Sequence, residues 1–106
     1  MPYASAITAL ADPTRRDVFE RLRAGPRAVT DIARGMPVSR PTVSQHLKVL
    51  KAAGLVADRA EGTRRVYYLD PNGLAELRIW LDGFWDHALT AFAQEAERQA
   101  KGDKPA

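Results

Sequence analysis

The sequence predicts a mainly α-helical fold with one small β-hairpin, and three observations predict it. Apolar residues recur at helical spacing up to Ala53 and again from Leu74 onward. Between these stretches, Leu55–Arg59 and Arg65–Leu69 are rich in strand formers and flank Glu61-Gly62-Thr63, a turn composition. Helix caps and breakers stand at nearly every junction, so the elements are short and sharply bounded.

Taken in order, Ala4–Ala11 is a short apolar segment with Ile7 and Leu10 at helical spacing. Asp12 suits an N-cap and Pro13 a first helical position, so a second helix is expected from Pro13 to about Ala24. Val18, Phe19 and Leu22 give it one apolar face, and Gly25-Pro26 stops it. Arg27-Ala28-Val29 reads as extended, after which Thr30 is expected to cap a short helix, Asp31–Gly35, with Ile32 and Ala33 inward. Met36-Pro37-Val38 breaks that helix. Ser39 then caps a fourth, with Pro41 in its first turn, running through Leu47 and Leu50 to Ala53 before Gly54 ends it. Two short helices joined by a tight break form a helix-turn-helix, and the hairpin after them is placed as a wing. Asp70-Pro71 opens a long last helix to about Gln99. Residues 1–100 are thus expected to form one domain and residues 101–106 a disordered tail.

With 106 residues, of which 45% are hydrophobic and 27% charged, the chain has room for a single globular domain. It contains no cysteine, which excludes disulfides, iron–sulfur clusters and thiolate metal sites and fits a reducing cytoplasm. The N-terminus lacks a basic leader with a long apolar core, and no run approaches the roughly 18 apolar residues of a membrane span. A cytoplasmic protein without a membrane partner is expected. The net charge of +3 is unevenly spread: residues 13–70 hold 12 Lys and Arg against 6 Asp and Glu, whereas residues 71–106 hold 4 against 6. That asymmetry suits a polyanion-binding surface followed by an assembly element, although an uneven solvated surface would give the same counts.

The fourth helix carries the sharper signal. With Val43 at 0° and about 100° per residue, Leu47 and Leu50 lie within about 40° of it, a narrow apolar stripe. Arg40, Pro41, Ser44, Gln45, Lys48 and Lys51 occupy the other side, and the helix contains no acid. A major groove admits such a helix: Arg40 suits guanine O6/N7, Gln45 adenine N6/N7, and Ser44 either. Thr42, Lys48 and Lys51 are assigned to backbone phosphates, which set register without reading sequence. His46 lies at the edge of the apolar side and reads as a packing histidine. Arg59, Arg64 and Arg65 on the hairpin would lay cations along the adjacent DNA backbone or minor groove, or act only as edge-blocking charges. Val66, Tyr67 and Tyr68 are expected to divide between core and solvent.

Together Thr30-Asp31-Ile32-Ala33, Val38-Ser39-Arg40-Pro41-Thr42-Val43-Ser44-Gln45-His46-Leu47-Lys48-Val49-Leu50, Ala53-Gly54-Leu55-Val56 and Gly62-Thr63-Arg64-Arg65-Val66-Tyr67-Tyr68-Leu69 resemble the ArsR/SmtB family of winged-helix repressors. The similarity extends from Leu10-Ala11-Asp12-Pro13-Thr14-Arg15 onward. The resemblance implies an α-helical homodimer with a β-wing that represses transcription on an imperfect inverted repeat, with Arg40, Pro41, Ser44 and Gln45 facing the operator. Many members carry Gln and Ser or Ala where this chain has Arg40 and Pro41, so its operator preference should differ.

On the last helix, Leu77, Trp80, Leu81, Phe84, Trp85, Ala88, Leu89, Phe92 and Ala96 span about half the circumference, wider than the stripe of about 100° that docks on one core. Leu77, Trp80, Leu81, Phe84, Trp85, Ala88 and Phe92, with Ile7 and Leu10 of the first helix, are therefore assigned to a dimer interface. Family members that sense metals through the last helix use Asp, His and Glu sets. Here only Asp82, Asp86 and His87 are candidates, without a second downstream histidine, so no metal or other cofactor is expected. The regulatory input is left open between a small organic effector near Trp80, Phe84 and Trp85 and no effector. An enzyme is not expected: there is no phosphate-binding glycine loop, no cysteine, and neither histidine stands by a nucleophile. The rival reading is a winged helix that binds an acidic protein partner.

Overall fold

The computed structural model describes residues 2–102 and sets the elements in a simple order. These are α1 (Pro2–Ala11), α2 (Pro13–Arg21), a single 3-10 turn (Leu22–Ala24), β1 (Arg27–Ala28), α3 (Val29–Arg34), α4 (Arg40–Ala52), β2 (Val56–Glu61), β3 (Arg64–Leu69) and α5 (Pro71–Gly102). Asp12 caps α2 by accepting from the Arg15 amide at 2.9 Å, and the Ala9 and Leu10 carbonyls at the end of α1 accept from the Arg15 and Arg16 guanidinium groups. Ser39 caps α4 through the Thr42 amide, and Asp70 caps α5 through the Asn72 amide.

Thr30 does not cap α3. The helix starts two residues earlier than expected, with Ala28 at the N-cap and no side-chain bond, because Ala28 is already held in the sheet opposite Val66. That pairing makes the sheet three-stranded and antiparallel in the order β1-β3-β2, where a two-stranded hairpin was expected. β3 is paired along both edges, and Val66 and Tyr67, which point to opposite faces of it, are both buried and do not divide between core and solvent, while Tyr68 is half-buried. Glu61 belongs to β2 opposite Arg64, leaving a two-residue loop, Gly62-Thr63. Its only positive φ is +62° at Gly62, as a type II′ turn with glycine first requires.

α4 ends in a Schellman arrangement: the Leu55 amide donates to Leu50 and the Gly54 amide to Lys51, both at 3.0 Å, with Gly54 at φ +80°. The bond between the Asp70 amide and the Leu55 carbonyl then ties the start of α5 to the same corner. Here α5 passes so close that a Cβ on Gly73 would stand 1.6 Å from the Gly54 carbonyl oxygen. The core gathers Val18, Leu22, Ile32, Val43, Leu47, Leu50, Leu55 and Val56 with Ala6, Ala9 and Tyr67.

α5 leaves this core early. Leu74 and Leu77 pack against it, but every residue from Leu81 to Gly102 is exposed. A helix of 32 residues is about 48 Å long. It stretches the chain to 76 × 27 × 22 Å with a radius of gyration of 20.1 Å, against about 13 Å for a compact domain of this length. Lys101 and Gly102, expected to open the tail, are helical, and residues 103–106 lie outside the described residues.

Candidate nucleic-acid interface

The buried stripe of α4 determines what the rest of the helix can do. Val43, Leu47 and Leu50 are completely buried, so the helix is held by one side only. Arg40, Pro41, Thr42, Gln45, Lys48 and Lys51 are exposed, and Ser44 is half-buried beside a shallow depression that it lines with Arg40 and Pro41. Among the described residues Arg40 and Lys48 enter no ion pair, leaving their charges available to an outside anion. The hydroxyls of Ser39 and Thr42 lie 3.0 Å apart, which pins the first turn carrying Arg40 and Pro41.

The remaining assigned cations have internal partners. Lys51 Nζ lies 2.7 Å from Asp58, and Arg65 lies 3.3 Å from the same carboxylate, whose side chain is only 9% exposed. Asp58 faces Tyr67 across β2 and β3, and so sits where the sheet meets the end of α4. This triad ties the wing to α4 while leaving the outer sides of both cations in water. Arg64 reaches Asp31 of α3 at 2.6 Å, and Arg59 pairs with Glu61 at 2.9 Å while stacking 5.3 Å over the Tyr68 ring. Exposed pairs of this kind are worth about 0–1 kcal/mol, so a phosphate can exchange with them at little cost.

His46 is half-buried beside Asp12, whose carboxyl is held below its ordinary value. The Arg15 amide hydrogen bond is the main cause, and the charges of His46 and Arg15 assist against partial burial.

Residues assigned to the dimer face fall into two groups. Leu10 and Leu77 are half-buried against the chain's own core and Trp80 is half-buried, so their apolar surface is partly used within one chain. Ile7, Leu81, Phe84, Trp85 and Phe92 are 42%, 58%, 60%, 63% and 74% exposed, joined by Leu89 and by Ile79, which the helical wheel did not include. Trp80 and Phe84 meet edge to face at 4.9 Å, and Leu81, Asp82, Phe84, Trp85 and Ala88 line an open groove of about 450 Å³. Asp82 pairs with Arg78 at 3.7 Å, and Asp86 and His87 are exposed. Among the described residues no three His, Cys, Asp or Glu side chains cluster as metal ligands, and no helix is long and apolar enough to cross a membrane.

Three positions to which the sequence analysis gave no role beyond secondary structure matter in the fold. Gly73 permits the crossing of α5 over Gly54; Gly35 and Arg27 border an arginine-lined cleft beside α3. Glycine inside a helix was the available signal for Gly73.

A family model described as a helix-turn-helix domain matches residues 10–59. The chain is 67% identical over 86 residues to the HTH-type transcriptional regulator Rv2034 of Mycobacterium tuberculosis, covering 81% of this chain and 80% of that protein. It is 34% identical over 76 residues to the transcriptional repressor SdpR of Bacillus subtilis, covering 72% and 84% respectively. A solved structure from Mycobacterium bovis, described as the homodimeric winged helix-turn-helix DNA-binding domain of a possible ArsR-family transcriptional regulator, superposes with a TM-score of 0.66. It shares 34% identity and covers 83% of this chain and 82% of its own. With the helix-turn-helix, the three-stranded wing and the long last helix in the order described, the chain belongs to the ArsR/SmtB family of winged helix-turn-helix transcriptional regulators.

Proposed function

We propose that this chain represses transcription by occupying a near-palindromic operator as a homodimer. Arg40, Pro41, Ser44 and Gln45 read base edges, Thr42, Lys48 and Lys51 hold phosphates, and Arg59, Arg64 and Arg65 carry the wing along the flanking backbone. The observation that carries the reading is the exposed, acid-free side of α4, with Arg40 and Lys48 outside any ion pair among the described residues. The second copy covers Ile7 of α1 and Leu81, Phe84, Trp85, Ala88 and Phe92 of α5, with Leu10, Leu77 and Trp80 at the edge of the contact. Two recognition helices about 34 Å apart would then meet successive turns of one groove. Residues 1–100 act as a single unit in this reading. An organic effector would enter the α5 groove between protomers, and no metal takes part.

The test is selection of duplexes from a random pool by the full chain, followed by anisotropy titrations over a range of salt. Affinity should fall steeply with salt. Arg40→Ala should weaken the selected duplex by about 1–3 kcal/mol and random DNA far less, whereas Lys48→Ala should weaken both alike. Failure to enrich any sequence, together with no binding at low ionic strength, would overturn the reading in favour of an acidic protein partner.

A further inference from the structure

Next to α3 lies a second basic feature of which the operator reading uses only Arg64. Arg21 at the end of α2, Arg27 of β1, and Asp31, Arg34 and Gly35 of α3 line a cleft of about 430 Å³. Arg64 of the wing closes one side through Asp31. Four guanidinium groups here face two carboxylates, Asp31 and Asp17, the latter 3.4 Å from Arg21 Nε. Arg27 has neither an ion pair nor a side-chain hydrogen bond among the described residues. Arg21 is held in place by donating to the Gly35 carbonyl at 2.9 Å, and this approach depends on glycine: a Cβ at position 35 would stand 2.6 Å from Arg21 Nη1.

We propose that this cleft is a separate phosphate site, taking one backbone phosphate of the duplex outside the half-site that α4 reads. The inference rests on the DNA-binding reading above and extends it. Guanidinium groups match phosphate oxygens in a planar, two-pronged way, and Arg34 and Arg64 already converge on one oxyanion, the Asp31 carboxylate, at 3.7 and 2.6 Å. The position favours a duplex over a free anion. The cleft adjoins the wing tip, about 20 Å along the strands from the start of α5. It also borders Gly35, where the helix-turn-helix turn begins.

Arg27→Ala, Gly35→Ala and a charge-matched control, Arg23→Ala, compare the cleft with an exposed arginine outside it. On the selected duplex, Arg27→Ala should lower the slope of log affinity against log salt by about 0.9, one counterion's worth. Between about 50 and 200 mM salt, that variant would lose about three- to fourfold less affinity than wild type does. Gly35→Ala, whose methyl group displaces Arg21, should act in the same direction without a charge change, and Arg23→Ala should leave the slope near wild type. Hydroxyl-radical footprints should retract at the outer edges of both half-sites in Arg27→Ala, a result that misfolding would not mimic while the central protection persists. Equal slopes in wild type and both cleft variants, or an equal loss in Arg23→Ala, would overturn the proposal and leave the recognition helix intact. A wild-type chain that ignores DNA would remove both.

Discussion

Replacing Phe84 by Asp tests the assembly that the operator reading requires. Phe84 is 60% exposed in one protomer, and a fully buried side chain of this size contributes about 1.5–3 kcal/mol, so covering the exposed part gains about 1–2 kcal/mol. A two-fold axis counts that contact twice, giving about 2–4 kcal/mol, or about 30- to 1000-fold in the dimer dissociation constant. A carboxylate in the same seam adds a desolvation cost on both sides. The fold of the single chain should survive, because among the described residues none of α5 beyond Trp80 belongs to the core or packs against it, and Phe84 meets Trp80 edge to face on the same helix. Sedimentation velocity should therefore report a monomer with an unchanged far-ultraviolet circular dichroism spectrum, and binding to the full operator should collapse while half-site binding stays weak. A dimer of undiminished mass would refute the assignment of this face.

The remaining predictions concern the scaffold. Gly73→Ala should destabilise the chain by about 1–3 kcal/mol or more, since its methyl group meets the Gly54 carbonyl and not a side chain that can move; a melting temperature equal to wild type would contradict the crossing described. Ser39→Ala should cost about 1 kcal/mol in denaturant unfolding and weaken operator binding further by loosening the turn under Arg40. Asp12 should matter less in acid: its folded pKa lies below the usual 3.8, so its contribution is complete above that value and is lost as pH falls through the lower one. The stability gap between wild type and Asp12→Asn, whose cap cannot titrate, should narrow below pH 3.8; a gap that stays constant down to about pH 2 would exclude the effect.

Much of the framework was legible because the determinants are local. Asp12 with Pro13, Ser39 with Pro41, Gly54 and Asp70 with Pro71 each act within one turn of chain, and each stands at the boundary it suggests. The stripe of Val43, Leu47 and Leu50 was equally readable, because helical period alone places three apolar residues together. What escaped depended on distant pairing. The sheet contact of Ala28 with Val66 spans 38 residues, moved the start of α3 away from the Thr30 cap and paired the second edge of β3. The partners of Lys51, Arg64 and Arg65 also come from other elements, so their residue types suggested free cations where carboxylates stand within 2.6 to 3.3 Å.

The amino-acid order by itself determined where the helices and the hairpin lie, which side of α4 is acid-free, and that the last helix carries more apolar surface than one core can take. Only the tertiary structure decided that Leu10 and Leu77 serve the protomer while Phe84, Trp85 and Phe92 remain uncovered, that Asp58 joins the wing to α4, and that Arg21, Arg27 and Arg34 share a cleft. The reason is one of range: caps and periodicities act over a few residues, whereas burial and ion pairing depend on segments that sequence separation does not bring together.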